Sequence, residues 1–136
     1  MADTNICLLH ISGMEGEYAL PPLPGSFQLL WFTAERSAGL NSVHFQVKTG
    51  KCTMQLVNAV NLETRVPSAT LIVVKAGQTV VHVEFRDFVL TDDHVYGLSG
   101  GQPVETYTIA AAAMNVVEQI GPLAFGTLIP GKTYRY

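Results

Sequence analysis

Thr70-Leu71-Ile72-Val73-Val74-Lys75-Ala76-Gly77-Gln78-Thr79-Val80-Val81-His82-Val83-Glu84-Phe85-Arg86-Asp87-Phe88-Val89-Leu90 reads as two strands joined by a tight turn. The first arm spans Thr70 to Lys75, the turn is Ala76-Gly77-Gln78, and the second arm spans Thr79 to Leu90. On the second arm Val81, Val83, Phe85 and Val89 share one face, while His82, Glu84 and Arg86 share the other. That is the period-two pattern of a strand with one buried side. Gly77 supplies the positive φ that a two-residue hairpin turn requires, at no side-chain cost. A β-branched residue there disfavours that conformation, so Gly77→Val is expected to impair folding or soluble yield.

Outward from this hairpin the same composition recurs. Val, Ile, Thr and aromatic residues fill short stretches, and Gly, Pro, Asn and Asp separate them. A first strand is expected over Ile6 to Ser12, a second over Ser26 to Arg36, and a third over Val43 to Lys48. Between the first two lies Pro21-Pro22-Leu23-Pro24-Gly25, whose prolines cannot donate to a central ladder and so mark a loop or an edge. Ser37-Ala38-Gly39 reads as a turn. The period changes over Lys51 to Asn61, where Met54, Leu56, Val57, Ala59 and Val60 form a loose helical stripe. Pro67 keeps that helix short. Ser99-Gly100-Gly101-Gln102-Pro103 reads as a flexible loop. For Val104 to Gln119 local signals conflict: Ala110 to Met114 favours helix, while Val104 to Ile109 and Val116-Val117 favour strand.

The chain has 136 residues, 48% of them hydrophobic and only 14% charged, with mean hydropathy +0.25. The length suits one domain, 1–136, large enough to fold without metal or disulfide. About 25% charge is usual in a soluble domain. So few charges on a small monomer would leave much apolar surface in water. The longest apolar run, Ile109 to Met114, is far short of the roughly 18 residues that a spanning helix needs, so membrane insertion is not expected. Burial against partner subunits is the better account. Met1-Ala2-Asp3-Thr4-Asn5 has neither the basic start nor the apolar core of a signal peptide. Net charge is −3 and the eight Lys and Arg are scattered, which argues against nucleic acid as a partner. Cys7 and Cys52 make no CxxC or disulfide framework, and Cys7 reads as a small core residue; both fit a reducing compartment.

No constellation of reactive residues stands out. His10, His44, His82 and His94 lack the i, i+2 or i+4 pairings that strands or helices use to gather metal ligands. His82 with Glu84 is a near pair, and two ligands do not make a site. Cys52 lies at the start of the helix, where a thiol pKa can fall, yet no basic partner is evident. Asp92-Asp93 suits a solvated turn better than acid–base work. There is neither a nucleophile elbow nor a phosphate loop. No catalytic, cofactor-binding or metal residue is therefore expected.

Taken in order, several segments resemble the haemolysin-coregulated protein (Hcp) family of type VI secretion tube proteins. Ile11-Ser12-Gly13-Met14-Glu15-Gly16-Glu17 is similar to that family's first strand and its Gly-x-x-Gly-Glu turn. Phe45 onward, through the helix to Lys75-Ala76-Gly77, matches its strand, helix and hairpin turn without a gap. Phe88-Val89-Leu90 resembles a strand ending in a hydrophobic triplet, and Ser99-Gly100-Gly101 with Glu105-Thr106-Tyr107-Thr108-Ile109 resembles the Gly-rich loop and last long strand. Gly121 and Phe125-Gly126 are weakly similar to the C-terminal segment. Each motif alone is unspecific; their order and spacing carry the resemblance, which covers most of the chain.

The resemblance implies a mainly β fold, a two-sheet antiparallel β-barrel with one short α-helix on its side. It makes 104–119 a strand. It further implies a homohexameric ring, stacking of rings into a hollow tube, and sheath, tip and effector proteins as partners. Residence in the bacterial cytoplasm before export by the apparatus follows, with no enzyme activity. Gly13, Gly16 and Gly77 are expected to set turn geometry, along with Lys75, Ala76, Gly100 and Gly101. His82, Glu84 and Arg86 are expected to line a lumen or meet a neighbouring subunit, and the residues do not choose between the two. The chain departs from the family between its second and third strands, where a long Gly- and Ser-rich excursion used in contacts to the next ring shrinks to Ser37-Ala38-Gly39-Leu40-Asn41. Pro21 to Gly25 is also unusually rich in proline. The runner-up is a small barrel binding a carbohydrate or other small ligand in an aromatic-lined pocket, with Trp31, Phe32, Tyr96, Tyr107, Tyr134 and Tyr136 available but dispersed.

Overall fold

Eight elements succeed one another in the computed structural model, which describes residues 5–37, 40–99, 101–119 and 133–136. They are β1 (Asn5–Ile11), β2 (Phe27–Ser37), β3 (Leu40–Lys48), α1 (Met54–Asn61), β4 (Arg65–Lys75), β5 (Gln78–Ser99), β6 (Gln102–Gln119) and β7 (Thr133–Arg135). The strands form one antiparallel sheet in the order β1-β4-β5-β6-β3-β2-β7, and a further β1–β2 pairing closes it into a barrel. An antiparallel barrel with one short helix is therefore what forms, and 104–119 is strand throughout. The alanine run follows the ladder because pairing with β5, and for Ala110 and Ala111 with β3 as well, outweighs intrinsic helix preference.

Closure is shared by two strands on one edge of β2. Phe27 to Leu29 pair with β1, and Trp31 to Thr33 pair with β7. At the changeover β2 carries a bulge, where Leu29 faces Val47 but Trp31 faces Gln46. Leu30 is the extra residue, and its carbonyl accepts the Tyr136 amide at 2.8 Å. One inserted residue exchanges the two faces of a strand. Phe27 and Leu29 point inward before it, and Phe32 and Ala34 after it.

The interior is filled. Phe32, Phe45, Phe85, Phe88 and Tyr107 are among the largest fully buried side chains, together with Leu9, Leu71 and Ile109. Tyr134 from β7 stacks on Phe32 with ring centroids 5.1 Å apart, and Tyr136 stacks on it from 6.0 Å. Helix α1 sends Leu56 and Ala59 into the same cluster, with Val57 and Val60 beside them. Met54, expected in that apolar stripe, is exposed instead; as the first helical residue it lies off the buried Leu56–Ala59 face.

A second, smaller cluster lies outside the barrel wall. Leu8, Ile72 and Val74 point away from the core and are covered by Tyr18 and Leu23. The proline-rich stretch is thus part of a strap lying over β1 and β4, which explains why both strands are apolar on both sides.

The central hairpin forms as expected, with Lys75 paired to Gln78 across a two-residue turn. Ala76 has φ 52° and Gly77 φ 78°, the left-handed pair of a type I′ turn. Gly77→Val therefore places a β-branched residue where φ is positive, a penalty of roughly 1–2 kcal/mol. A lowered urea midpoint checks it, and an unchanged one would refute the turn assignment.

Beyond Arg86 the alternation changes phase, and this corrects two expectations. Val89 is half-buried rather than on the core face, which is taken over by Phe88 and Leu90. The shift occurs at Asp87, where φ is 55°, between the pairs Arg86–Ser68 and Phe88–Val66. The partner position is Pro67, which has no N–H to give the ladder, so both strands are irregular at one rung. The Arg65 guanidinium binds the Asp87 carboxylate there through Nε at 2.5 Å and Nη2 at 3.1 Å, raising the arginine pKa and lowering that of the carboxyl. β4 consequently starts at Arg65, before the expected Thr70.

β5 also runs on through Asp92-Asp93, expected as a turn, to Ser99. A register shift between Asp92 and Tyr96 absorbs the extra residues. The stretch expected as a flexible loop is instead a tight hairpin end, with Ser99 paired to Gln102 and Leu98 to Pro103. Gly101 has φ 80°. Gly100, Ala38-Gly39, Gly121 and Phe125-Gly126 lie outside the described residues.

Candidate functional site

The Gly-x-x-Gly-Glu segment is built as a clamp between the strap and the helix. Gly13 takes φ 83° with open space around it, so it serves the turn. Gly16 acts differently from expectation: it has no positive φ, but a Cβ on it would lie 2.1 Å from the carbonyl carbon and oxygen of Ser26. Its requirement is close backbone approach. Gln55 on α1 reads the adjoining Glu15 backbone twice, accepting from its amide at 3.0 Å and donating to its carbonyl at 2.7 Å. Glu17 Oε1 accepts the Cys52 amide at 3.4 Å, just before the helix begins.

The β5 strip points outward, as its alternation predicts. His82 and Glu84 are half-buried and Arg86 is exposed. His82 Nε2 lies 4.0 Å from Glu84 Oε1, and that nitrogen is buried without a hydrogen-bond partner. Across the sheet Ile72, Thr70 and Ser68 stand beside His82, Glu84 and Arg86. These three residues are brought into one row on β5, and Lys75, the last residue of β4, leads through Ala76 and Gly77 into that strand.

Other candidates are not gathered. His10 pairs across to Thr70 on the outer wall, whereas His44 Nδ1 lies 2.7 Å from Thr108 Oγ1 on the β3–β6 side. Among the described residues no three His, Cys, Asp or Glu side chains meet at one point. Burial pushes the Cys7 thiol well above its ordinary pKa, which suits an inert core residue. Burial likewise raises Tyr136. The aromatic residues expected to line a ligand pocket are not gathered into one among the described side chains: Phe32, Tyr134 and Tyr136 stack together, Tyr107 packs on Phe45 at 6.0 Å, and Trp31 lies apart on the outer face. Residue pattern alone did not flag Glu105, which is buried and accepts a hydrogen bond from the Tyr107 hydroxyl; period-two spacing with Tyr107 and Ile109 was the available signal.

Among the described residues the barrel interior is occupied by side chains. The architecture matches solved structures over most of the chain. Hcp1 from Salmonella typhimurium superposes with TM-score 0.70 at 18% identity, covering 81% of this chain and 82% of its own. The fold is the Hcp fold. A type VI secretion system effector from Yersinia pestis matches with TM-score 0.70 at 17% identity over 96% of this chain and 99% of that one. The secreted protein Hcp3 from Pseudomonas aeruginosa gives 0.65 at 8% identity over 99% of each. No protein-family profile matches the sequence, and no curated protein is detectably similar to it. Within this fold the segment Gly13 to Glu17 follows β1, the turn Ala76-Gly77 joins β4 to β5, and β5 and β6 form the longest strand pair.

Proposed function

We propose that the chain is a subunit of the inner tube of a type VI secretion system, closing with further copies into a six-membered ring. The observation that carries this reading is the end-to-end correspondence with Hcp folds, together with an interior filled by side chains. A barrel that holds its ligand inside would need an internal cavity, whereas here Phe85, Phe88 and Tyr107 occupy that space. The low charge content and the exposed Leu20, Met54 and Leu62 favour burial between copies. Sheath, tip and effector proteins are the partners this role implies, with a cytoplasmic pool exported by the apparatus. Stacking of rings would proceed without the long excursion, since β2 ends at Ser37 and β3 resumes at Leu40.

The β5 strip is proposed as a contact between neighbouring copies. The strap covers β1 and β4, which leaves His82, Glu84 and Arg86 as the nearest uncovered polar row. Light scattering after size exclusion is expected to give a mass near six times 14.7 kDa, with ring-shaped particles by negative stain. Arg86→Glu is expected to lower that mass while leaving the melting temperature in place. A wild-type chain that stays monomeric at high concentration would sink the tube reading. Rings that survive the charge reversal would instead place the strip on the lumen or the outer wall.

A further inference from the structure

The bulge at Leu30 turns Trp31, Thr33 and Glu35 outward. Their neighbours are set by the ladder. Trp31 lies between Arg135 of β7 and Gln46 of β3, and Thr33 lies between Thr133 and His44. Beyond β3, Gln46 and His44 face Thr106 and Thr108 of β6. Four strands thus present one continuous polar face around a single indole, and a groove of about 380 Å³ follows it.

Thr106 lines the groove although only 3% exposed, so it belongs to the floor, while the Thr108 hydroxyl lies 2.7 Å from His44 Nδ1. The walls are ordered by mutual contacts. Thr33 and Thr133 hydroxyls lie 2.7 Å apart, Gln46 Nε2 donates to Thr106 Oγ1 at 3.5 Å, and His44 Nε2 is 3.8 Å from Glu35 Oε2. The groove volume is at the lower end of small-molecule sites. Its charged lining is one guanidinium and one carboxylate, Arg135 and Glu35, which selects neither a polyanion nor a polycation.

We propose that this face binds a neutral oligosaccharide, the pyranose ring lying on Trp31 and its hydroxyls meeting Thr33, Glu35, His44 and Arg135. An indole offers a flat apolar surface with a polar rim, matching the apolar faces of a sugar ring. Hydrogen bonds to the charged Glu35 and Arg135 are the strong ones available to sugar hydroxyls. The site uses side chains of one copy alone and requires that this face stay open in the assembly.

Trp31 is the one tryptophan of the chain, so its fluorescence reports on the groove directly. The full-length protein is titrated with cellotetraose, chitotetraose and maltotetraose. A saturable change in Trp31 emission is expected with at least one of them. Arg135→Ala and Thr33→Ala are expected to weaken that binding about tenfold each, as loss of a charged or neutral hydrogen bond predicts. Arg86→Ala, on the opposite strip, should bind as wild type does. Calorimetry with Trp31→Ala, read beside its circular dichroism, should show a folded protein with no heat of binding. No saturable response to any of the three sugars overturns the proposal. So does binding that persists in folded Trp31→Ala, or a Trp31 already shielded from acrylamide in the assembled protein, since that face would then be buried between copies.

Discussion

Gly16→Ala is expected to deprive the chain of a soluble, cooperatively folded barrel. The added methyl would sit 2.1 Å from the Ser26 carbonyl atoms and 2.5 Å from the Phe27 nitrogen, all of them backbone, so no side chain can swing aside. Relief requires the strap to lift. That breaks the bond from the Gly16 amide to the Gly25 carbonyl at 2.8 Å and the one from the Tyr18 amide to the Ser26 carbonyl at 2.9 Å. It also withdraws Glu17 from Cys52 and uncovers the Leu8, Ile72 and Val74 cluster. Overpacking costs about 1–3 kcal/mol even where side chains can adjust; here backbone must move, within a total stability of about 5–15 kcal/mol. Gly13→Ala is the control: its space is open, so it loses only the roughly 1–2 kcal/mol of a left-handed residue. Urea denaturation of both variants checks this, and a Gly16→Ala midpoint no lower than that of Gly13→Ala would show that the approach to Ser26 is not tight.

Removal of 133–136 is expected to have an effect of similar size for a different reason. β7 pairs with Trp31 to Thr33 on the edge of β2 that β1 does not reach. Without it Phe32 loses both of its stacked partners, and three rungs of β2 face water. Truncating one large buried aromatic costs about 3–5 kcal/mol, and an open edge invites pairing with another chain. The shortened protein should melt far below wild type and aggregate at concentrations where wild type stays clear. Tyr134→Ala separates the two causes, since it removes the packing but keeps the strand. If the two variants behave alike in both melting and light scattering, the edge contributes nothing.

Much of this was legible in the residues because alternation over 78–86 and the Ala76-Gly77 turn leave little choice of register. The helix followed from a change of period, and β6 was decided by family resemblance where its alanines and valines disagreed. What stayed hidden were the places where the strand count slips. Leu30 is one apolar residue among many, and nothing local marks it as the bulge that turns Trp31 outward. Asp87 and Pro67 are distant in sequence, so their shared irregular rung shows only once the strands pair. β7 has three residues, too few for any period. Gly16 looked like a turn glycine because a close approach to Ser26 depends on how the strap lies. Of the site residues, the outward row His82, Glu84 and Arg86 could be read from spacing alone, whereas the groove around Trp31 needed four strands in register.

The strap over β1 and β4 has a consequence for symmetry. A ring of more than two copies is built from heterologous contacts, in which each copy offers two different patches to its two neighbours. An evenly walled barrel presents similar flanks all round and can meet its twin face to face. Here one sector is two layers thick, closed over Leu8, Ile72 and Val74 by Tyr18 and Leu23, while in the β5 row beside it Arg86 is exposed and His82 and Glu84 are half-buried. In the proposed ring the padded sector and the β5 row would be two unlike patches, each offered to a different neighbour.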